Sequence, residues 1–112
     1  MPSTIKTGHF CRDAPSGLPE EVSQTLLAGS HLRMERIVSH GQQSPPGFWY
    51  DQDQAEWVAV LKGEALLLFE GDEQPVRLGP GDHLTIPARR RHRVDWTTPD
   101  GPTVWLAVFY EE

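Results

Sequence analysis

The chain has 112 residues, of which 38% are hydrophobic and 23% are charged, and its formal net charge at pH 7 is −6. This length suits one small domain, and no stretch approaches the roughly 18 apolar residues that a membrane-spanning helix needs. The acidic balance disfavours nucleic-acid binding. The start of the chain lacks the apolar run of a signal peptide, and the single cysteine, Cys11, cannot form an internal disulfide. Both features favour a cytoplasmic protein.

The pattern of residues predicts an extended N-terminal arm over 1–24 and one all-β domain over 25–112. From residue 25 onward, short segments rich in Val, Ile, Leu, Thr and aromatic residues alternate with turns that contain Gly and Pro. No segment keeps a helical period, which favours a sandwich or a closed barrel. The predicted strands are 25–28, 31–39, 48–52, 56–62, 64–70, 75–78, 83–86, 92–97 and 103–110.

Three of these strands, EWVAVL, ALLLF and TVWLAVFY, are apolar on both faces. A small barrel whose outer surface is wet shows alternation instead, so something is expected to cover the outer face. One interpretation is a second sheet or the N-terminal arm. The other, which we favour, is a homodimer through the outer faces.

The segment GPGDHLTIPARRRHRV combines a glycine turn, a strand ending at a proline and a histidine on the returning strand. It resembles the second motif of the cupin superfamily, G-x5-P-x-G-x2-H-x3-N, with Gly81, Pro87 and His92 at the matching spacings. The chain departs from this motif at Arg89, where the second glycine stands, and at Trp96, where the asparagine stands.

The first cupin motif, G-x5-H-x-H-x3–4-E-x6-G, is matched by EWVAVLKG, which places Glu56 at the glutamate position. The H-x-H pair is absent. With four intervening residues its positions fall on Trp49 and Asp51, and with three they fall on Tyr50 and Gln52. A slip of one residue exchanges the two faces of a strand. We favour four, which places a second carboxylate beside Glu56.

The resemblance implies a cupin-type jelly roll, a double-stranded β-helix barrel whose chemistry lies inside it. Cupins typically hold Mn, Fe, Ni or Zn through three histidines and one glutamate, donors that suit these metals. Here the resemblance implies a divalent metal on Asp51, Glu56 and His92, with Glu56 and His92 also catalytic. The alternative is that the metal has been lost and that Glu56 and His92 form a hydrogen-bonded pair.

A cluster of arginines at positions 89–91 and 93 surrounds the motif histidine. Arg90 shares the face of His92 by alternation, and arginine binds carboxylates and phosphates through paired hydrogen bonds. We therefore predict that Arg90 binds a small anionic ligand such as a sugar phosphate. Trp49 and Trp96 are predicted to line the same site, where they either stack on a sugar ring or simply fill the cavity. The alternatives are a solvated loop, or arginines that pair with acids such as Asp51, Asp53 and Asp95.

Three functional classes follow from the resemblance. The first is a metal-dependent enzyme, either a sugar-phosphate isomerase-like protein or an oxygenase. The second is a metal-free binding or sensor protein without catalysis, and the third is a fully packed structural barrel. No nucleic-acid or membrane partner is expected.

Overall fold

The computed structural model describes residues 4–15, 17 and 19–112, and these residues form eight strands and no helix. The all-β prediction is therefore confirmed. No helix of this part of the chain is long and apolar enough to cross a membrane. The strands are β1 (Val22–Ala28), β2 (Leu32–Ser39), β3 (Ala55–Lys62), β4 (Ala65–Phe69), β5 (Val76–Leu78), β6 (His83–Ile86), β7 (His92–Thr97) and β8 (Thr103–Tyr110).

The strands form two antiparallel sheets. The larger has five strands in the order β1-β2-β8-β3-β6, and the smaller has three in the order β5-β4-β7. Strands that are distant in sequence, such as β2 and β8, are neighbours in the larger sheet. The inner faces of the two sheets enclose the core and, at one end, a pocket.

Successive side chains of a strand point to opposite faces, so alternate residues of β3 and β8 enter the core. Val58 and Ala107 lie directly opposite each other on this inner face. The buried cluster is built from both sheets and comprises Val58, Val60, Ala65, Leu67, Leu78, Ile86, Trp105, Ala107 and Phe109.

The predicted strand over 48–52 is absent, and only Tyr50 forms an isolated bridge to His92. The segment before it turns away from β7. Within this turn the Phe48 N–H donates to the Pro45 carbonyl oxygen. Two consecutive prolines, Pro45 and Pro46, have no N–H to donate to a neighbouring strand, which explains the interruption.

The predicted arm over 1–24 includes positions 1–3, 16 and 18, which lie outside the described residues. Its last residues belong to β1, which begins at Val22 rather than at 25. Arg36 of β2 donates to the carbonyl oxygens of Phe10 and Arg12 and so fixes part of the arm against the larger sheet.

The outer face of the larger sheet remains partly exposed. Trp57 and Met34 both lie opposite Val108, on the face away from the core, and all three are half-buried. The homodimer through this face stays a prediction. Sedimentation at high protein concentration tests it, and a monomeric protein would contradict it.

We expect Gly63→Ala to lower the free energy of unfolding by roughly 2–4 kcal/mol, because it combines a positive φ with a clash. Gly63 has φ +89°, and an added Cβ would lie 2.6 Å from the Thr103 Cα. Gly71 is the matched control, with φ +90° and no atom within 4 Å of an added Cβ.

Gly71→Ala should therefore lower the free energy of unfolding only by the cost of the positive φ, about 1–2 kcal/mol. Urea denaturation measures both changes. Equal losses in the two variants would show that the contact with Thr103 does not constrain this turn.

Candidate functional site

Two reciprocal backbone hydrogen bonds between Tyr50 and His92 decide which side chains enter the pocket. The Tyr50 N–H donates to the His92 carbonyl oxygen at 2.7 Å, and the His92 N–H donates to the Tyr50 carbonyl oxygen at 3.2 Å. Residues paired in this way share a face. The side chains of His92 and Tyr50 both line the pocket, and that of His92 is buried. Their rings stack with centroids 5.4 Å apart.

Glu56 reaches the same pocket from the larger sheet. It lies on β3, opposite Ile86 of β6 and Phe109 of β8, and is 8% exposed. Its Oε1 atom accepts a hydrogen bond from the Gln52 side-chain amide at 2.9 Å and lies 3.6 Å from His92 Nε2. Each sheet therefore contributes one proton-binding group to a common site.

A hydrogen bond defines the tautomer of His92. Its Nδ1 atom lies 2.9 Å from the Arg90 carbonyl oxygen, which can only accept, so Nδ1 carries the proton. In the neutral ring Nε2 is then an acceptor, and it faces the Glu56 carboxylate beyond hydrogen-bond length. The two acceptors converge on a position where a ligand hydroxyl or N–H can donate. They can also take up and return a proton, as general acid–base chemistry requires.

These groups lie in a cavity of about 170 Å³ between the sheets. Its size is close to that of the roughly 150 Å³ engineered cavity that holds benzene. The polar lining comprises Glu21, Ser23, Glu35, Tyr50, Gln52, Glu56 and His92. The apolar lining comprises Ile37, Val58, Leu67, Ile86, Val94, Trp105 and Phe109.

A chain of hydrogen bonds holds Glu21 at this cavity. Trp105 Nε1 donates to Ser39 Oγ at 3.1 Å, and Ser39 Oγ donates to Glu21 Oε2 at 3.2 Å. Trp105 and Ser39 are buried, so the Glu21 carboxylate is attached to the core although the residue as a whole is exposed.

The interior disfavours negative charge. Burial raises the pKa of Glu21; the Ser39 hydrogen bond lowers it in part, and the nearby Glu56 carboxylate raises it further. Burial also raises the pKa of the Tyr50 phenol, with Glu21 and Glu56 adding to the effect. Tyr50 therefore keeps its proton and can donate it in a hydrogen bond.

The comparison with protein families decides the assignment. The family model described as a cupin domain matches residues 34–109, which is most of the chain. The chain belongs to the cupin family. No curated protein matches it.

Solved structures agree with the double-stranded β-helix of this cupin. A protein from Ralstonia eutropha JMP134 named “putative mannose-6-phosphate isomerase” is 51% identical, with 96% of this chain and 100% of that chain covered and a TM-score of 0.94. An RmlC-like cupin from Methanocaldococcus jannaschii is 20% identical, with 98% and 94% covered and a TM-score of 0.72. A cupin superfamily protein from Desulfitobacterium hafniense DCB-2 is also 20% identical, with 84% and 80% covered and a TM-score of 0.69.

The structure has the three-residue spacing of the first cupin motif, not the four-residue spacing that we favoured. Tyr50 and Gln52 line the pocket at the H-x-H positions. Trp49 and Asp51 alternate with them and are not among the lining residues, and the Asp51 carboxylate lies 3.4 Å from Arg89 instead. The Tyr50–His92 register, which no local pattern reveals, causes this exchange of faces.

The residues present do not fit the three-histidine, one-glutamate set of metal-binding cupins. Tyr50 and Gln52 replace two of the ligands, and the Gln52 amide already donates to Glu56. Asp51 is not brought to Glu56 and His92. Among the described residues, no group of three or more His, Cys, Asp and Glu side chains is placed to hold a metal ion. The predicted divalent metal stays a prediction that this arrangement does not favour.

Arg90 does not line the pocket. The Arg90 N–H donates to the Pro87 carbonyl oxygen and closes a turn. Because of this turn, side chains do not alternate as in a strand between Arg90 and His92, so the two residues do not share a face. The Arg90 guanidinium donates instead to the Glu70 carbonyl oxygen at 2.7 Å and to the Asp72 carboxylate at 3.4 Å.

The other arginines of this cluster are also engaged by the protein. Arg89, Arg91 and Arg93 lie 3.4 Å, 2.7 Å and 3.8 Å from carboxylate oxygens of Asp51, Glu70 and Asp95, respectively. The structure therefore agrees with the alternative in which these arginines pair with nearby acids.

Trp96 does not line the pocket either, because β7 is irregular. Trp96 lies opposite Leu66 and Val94 lies opposite Leu67, so Asp95 is an extra residue. Such a bulge reverses the alternation. Val94 enters the pocket, whereas Trp96 is turned away from it and is half-buried.

Sequence reasoning missed five polar residues that line the pocket, Glu21, Ser23, Glu35, Tyr50 and Gln52. Tyr50 and Gln52 appeared only as the alternative spacing. Glu21 lies in the predicted arm, where no period or motif marked it, and only the pairing of β1 with β2 brings it to the pocket.

We expect Glu21→Gln to become increasingly stable relative to the wild type as the pH rises above 4.5, the ordinary pKa of this carboxyl. Because the pKa is raised in the folded state, the folded chain binds more protons above that pH, and the contribution of Glu21 to stability falls as pH increases. The glutamine can still accept from Ser39.

Urea denaturation at a series of pH values measures this difference. The control is Glu20→Gln, the preceding exposed carboxylate, which should give a smaller trend. A stability difference between Glu21→Gln and wild type that is independent of pH would contradict the burial of this carboxyl.

Proposed function

We propose that this cupin binds a small organic molecule in the pocket between its sheets, with Glu56 and His92 as the polar groups that recognise it and without a resident metal. The observation that carries the proposal is the convergence of Glu56 Oε1 and His92 Nε2, 3.6 Å apart, in a cavity of about 170 Å³. Glu56 Oε1 already accepts from the Gln52 amide, whereas His92 Nε2 lies beyond hydrogen-bond length of Glu56, so a donor of a bound molecule can satisfy this nitrogen and the second lone pair of the carboxylate oxygen.

The same pair is suited to proton transfer. His92 is oriented by the Arg90 carbonyl oxygen, and Glu56 is oriented by the Gln52 amide. A C–H or O–H of a bound molecule placed between them could lose its proton to one group and regain a proton from the other. Binding without catalysis and proton-transfer catalysis therefore share one site.

Sugar-phosphate isomerisation is the second candidate, and the name of the Ralstonia protein favours it. Aldose–ketose isomerisation moves a proton between adjacent carbons, which the Glu56–His92 pair could perform. A phosphate group requires cations or N–H donors, and the described residues that line the pocket include no lysine or arginine. The predicted anionic ligand thus stays a prediction that the lining does not favour.

We expect the protein, purified without chelator, to carry less than stoichiometric Mn, Fe, Ni or Zn by elemental analysis, also after reconstitution.

In ligand-observed NMR with a library of small polar fragments, we expect bound fragments to lose about tenfold in affinity in Glu56→Gln and His92→Gln, the effect of one hydrogen bond to a charged group. His83→Gln is the matched control, because His83 is exposed on the outer face.

Stoichiometric metal that is lost in His92→Gln would contradict the metal-free site. Mannose 6-phosphate, assayed with and without Mn²⁺ or Zn²⁺, tests the second candidate. Conversion to fructose 6-phosphate that disappears in both pocket variants would favour isomerisation over the proposed function.

A further inference from the structure

The pocket carries an excess of negative charge that the proposed function leaves unexplained. Three of its lining residues are the carboxylates Glu21, Glu35 and Glu56, and no described lining residue is a lysine or an arginine. A partly enclosed site with walls of low dielectric strengthens the field of such a group of like charges. The occupant of the pocket has to be compatible with that field.

The three carboxylates differ in how their charge is compensated. Glu35 has its own counter-ion, since Arg33 Nε lies 3.0 Å from its Oε2. Glu56 accepts from the neutral Gln52 amide and faces His92, which compensates it only when the ring is protonated. Glu21 accepts from the Ser39 hydroxyl, and among the described residues none of the ion pairs involves it.

The rest of the pocket wall is apolar and aromatic. Val58, Leu67 and Ile86 form part of it together with the rings of Trp105 and Phe109. The Phe109 ring already binds a cation of the protein, because the Arg33 guanidinium lies 4.4 Å from its centroid. Aromatic faces attract cations most strongly where water is excluded.

We propose that the ligand of this pocket is a small amphiphilic organic cation, an ammonium group on an apolar body of about six to eight non-hydrogen atoms, a size set by the cavity. The inference rests on the proposed function and names its ligand class. The ammonium group has three donors, which are matched by the acceptors of Glu21, Glu56 and His92 Nε2. The apolar body lies against the aliphatic and aromatic wall.

An anion of the same size meets the carboxylates of Glu21 and Glu56, which no described lysine or arginine pairs with, and a neutral alcohol offers one donor where an ammonium group offers three. Neither fits the pocket as well as an ammonium ion. Charge therefore separates the ligand classes, while shape does not.

The test uses three molecules of nearly equal shape: cyclohexylamine, cyclohexanol and cyclohexanecarboxylate. Isothermal titration of the full chain at pH 7 should show that cyclohexylamine, which is protonated there, binds at least about tenfold more tightly than cyclohexanol. Cyclohexanecarboxylate should bind most weakly of the three.

Glu21→Gln isolates the charge, because it retains an acceptor for Ser39. We expect it to reduce the preference for the amine over the alcohol by about fivefold or more and to leave the affinity for cyclohexanol nearly unchanged. Glu20→Gln changes the same net charge outside the pocket and should keep the preference of the wild type.

The outcomes distinguish this inference from the proposed function. Stronger binding of the alcohol or the carboxylate overturns the proposal that the ligand is a cation, and so does a preference for the amine that Glu21→Gln does not change. Both results leave the proposed small-molecule binding function intact. Absence of binding by all three molecules overturns both, because the pocket then takes no ligand of this size.

Discussion

The pairing of Tyr50 with His92 is the constraint on which the site depends. Two backbone hydrogen bonds attach the irregular segment after Pro45 and Pro46 to the edge of β7. They set the register and therefore send Tyr50 and Gln52, rather than Trp49 and Asp51, into the pocket. One shift of register would exchange a phenol and an amide for an indole and a carboxylate and would change the chemistry of the cavity.

The chemistry that results is dominated by acceptors. The Arg90 carbonyl oxygen fixes the proton of His92 on Nδ1, and the Gln52 amide orients Glu56, so that Nε2 and Oε1 face each other. The Trp105–Ser39–Glu21 chain holds a second carboxylate at the same pocket, on the residue that precedes β1. Carboxylate and imidazole acceptors, gathered in a cavity that is otherwise largely apolar, select a ligand that is rich in donors.

The sequence predicts the fold better than the site because strand patterns are local and pocket geometry is not. The bounds of β6, β7 and β8 follow directly from their β-branched and aromatic residues and from the adjacent turns. Glu56 and His92 follow from the spacing of the cupin motifs. The orientation of Trp96 depends on a bulge opposite β4, and Glu21 depends on the pairing of β1, contacts between residues far apart in sequence.

The ring nitrogens of His92 give the most direct test of this arrangement. In ¹⁵N-detected NMR spectra, with His92→Gln used for assignment, we expect the neutral ring to carry its proton on Nδ1 and the Nε2 resonance to shift in Glu56→Gln. That result would confirm an Nε2 acceptor directed at Glu56. A neutral ring protonated on Nε2, with resonances unaffected by Glu56→Gln, would contradict the converging acceptors on which the proposed site rests.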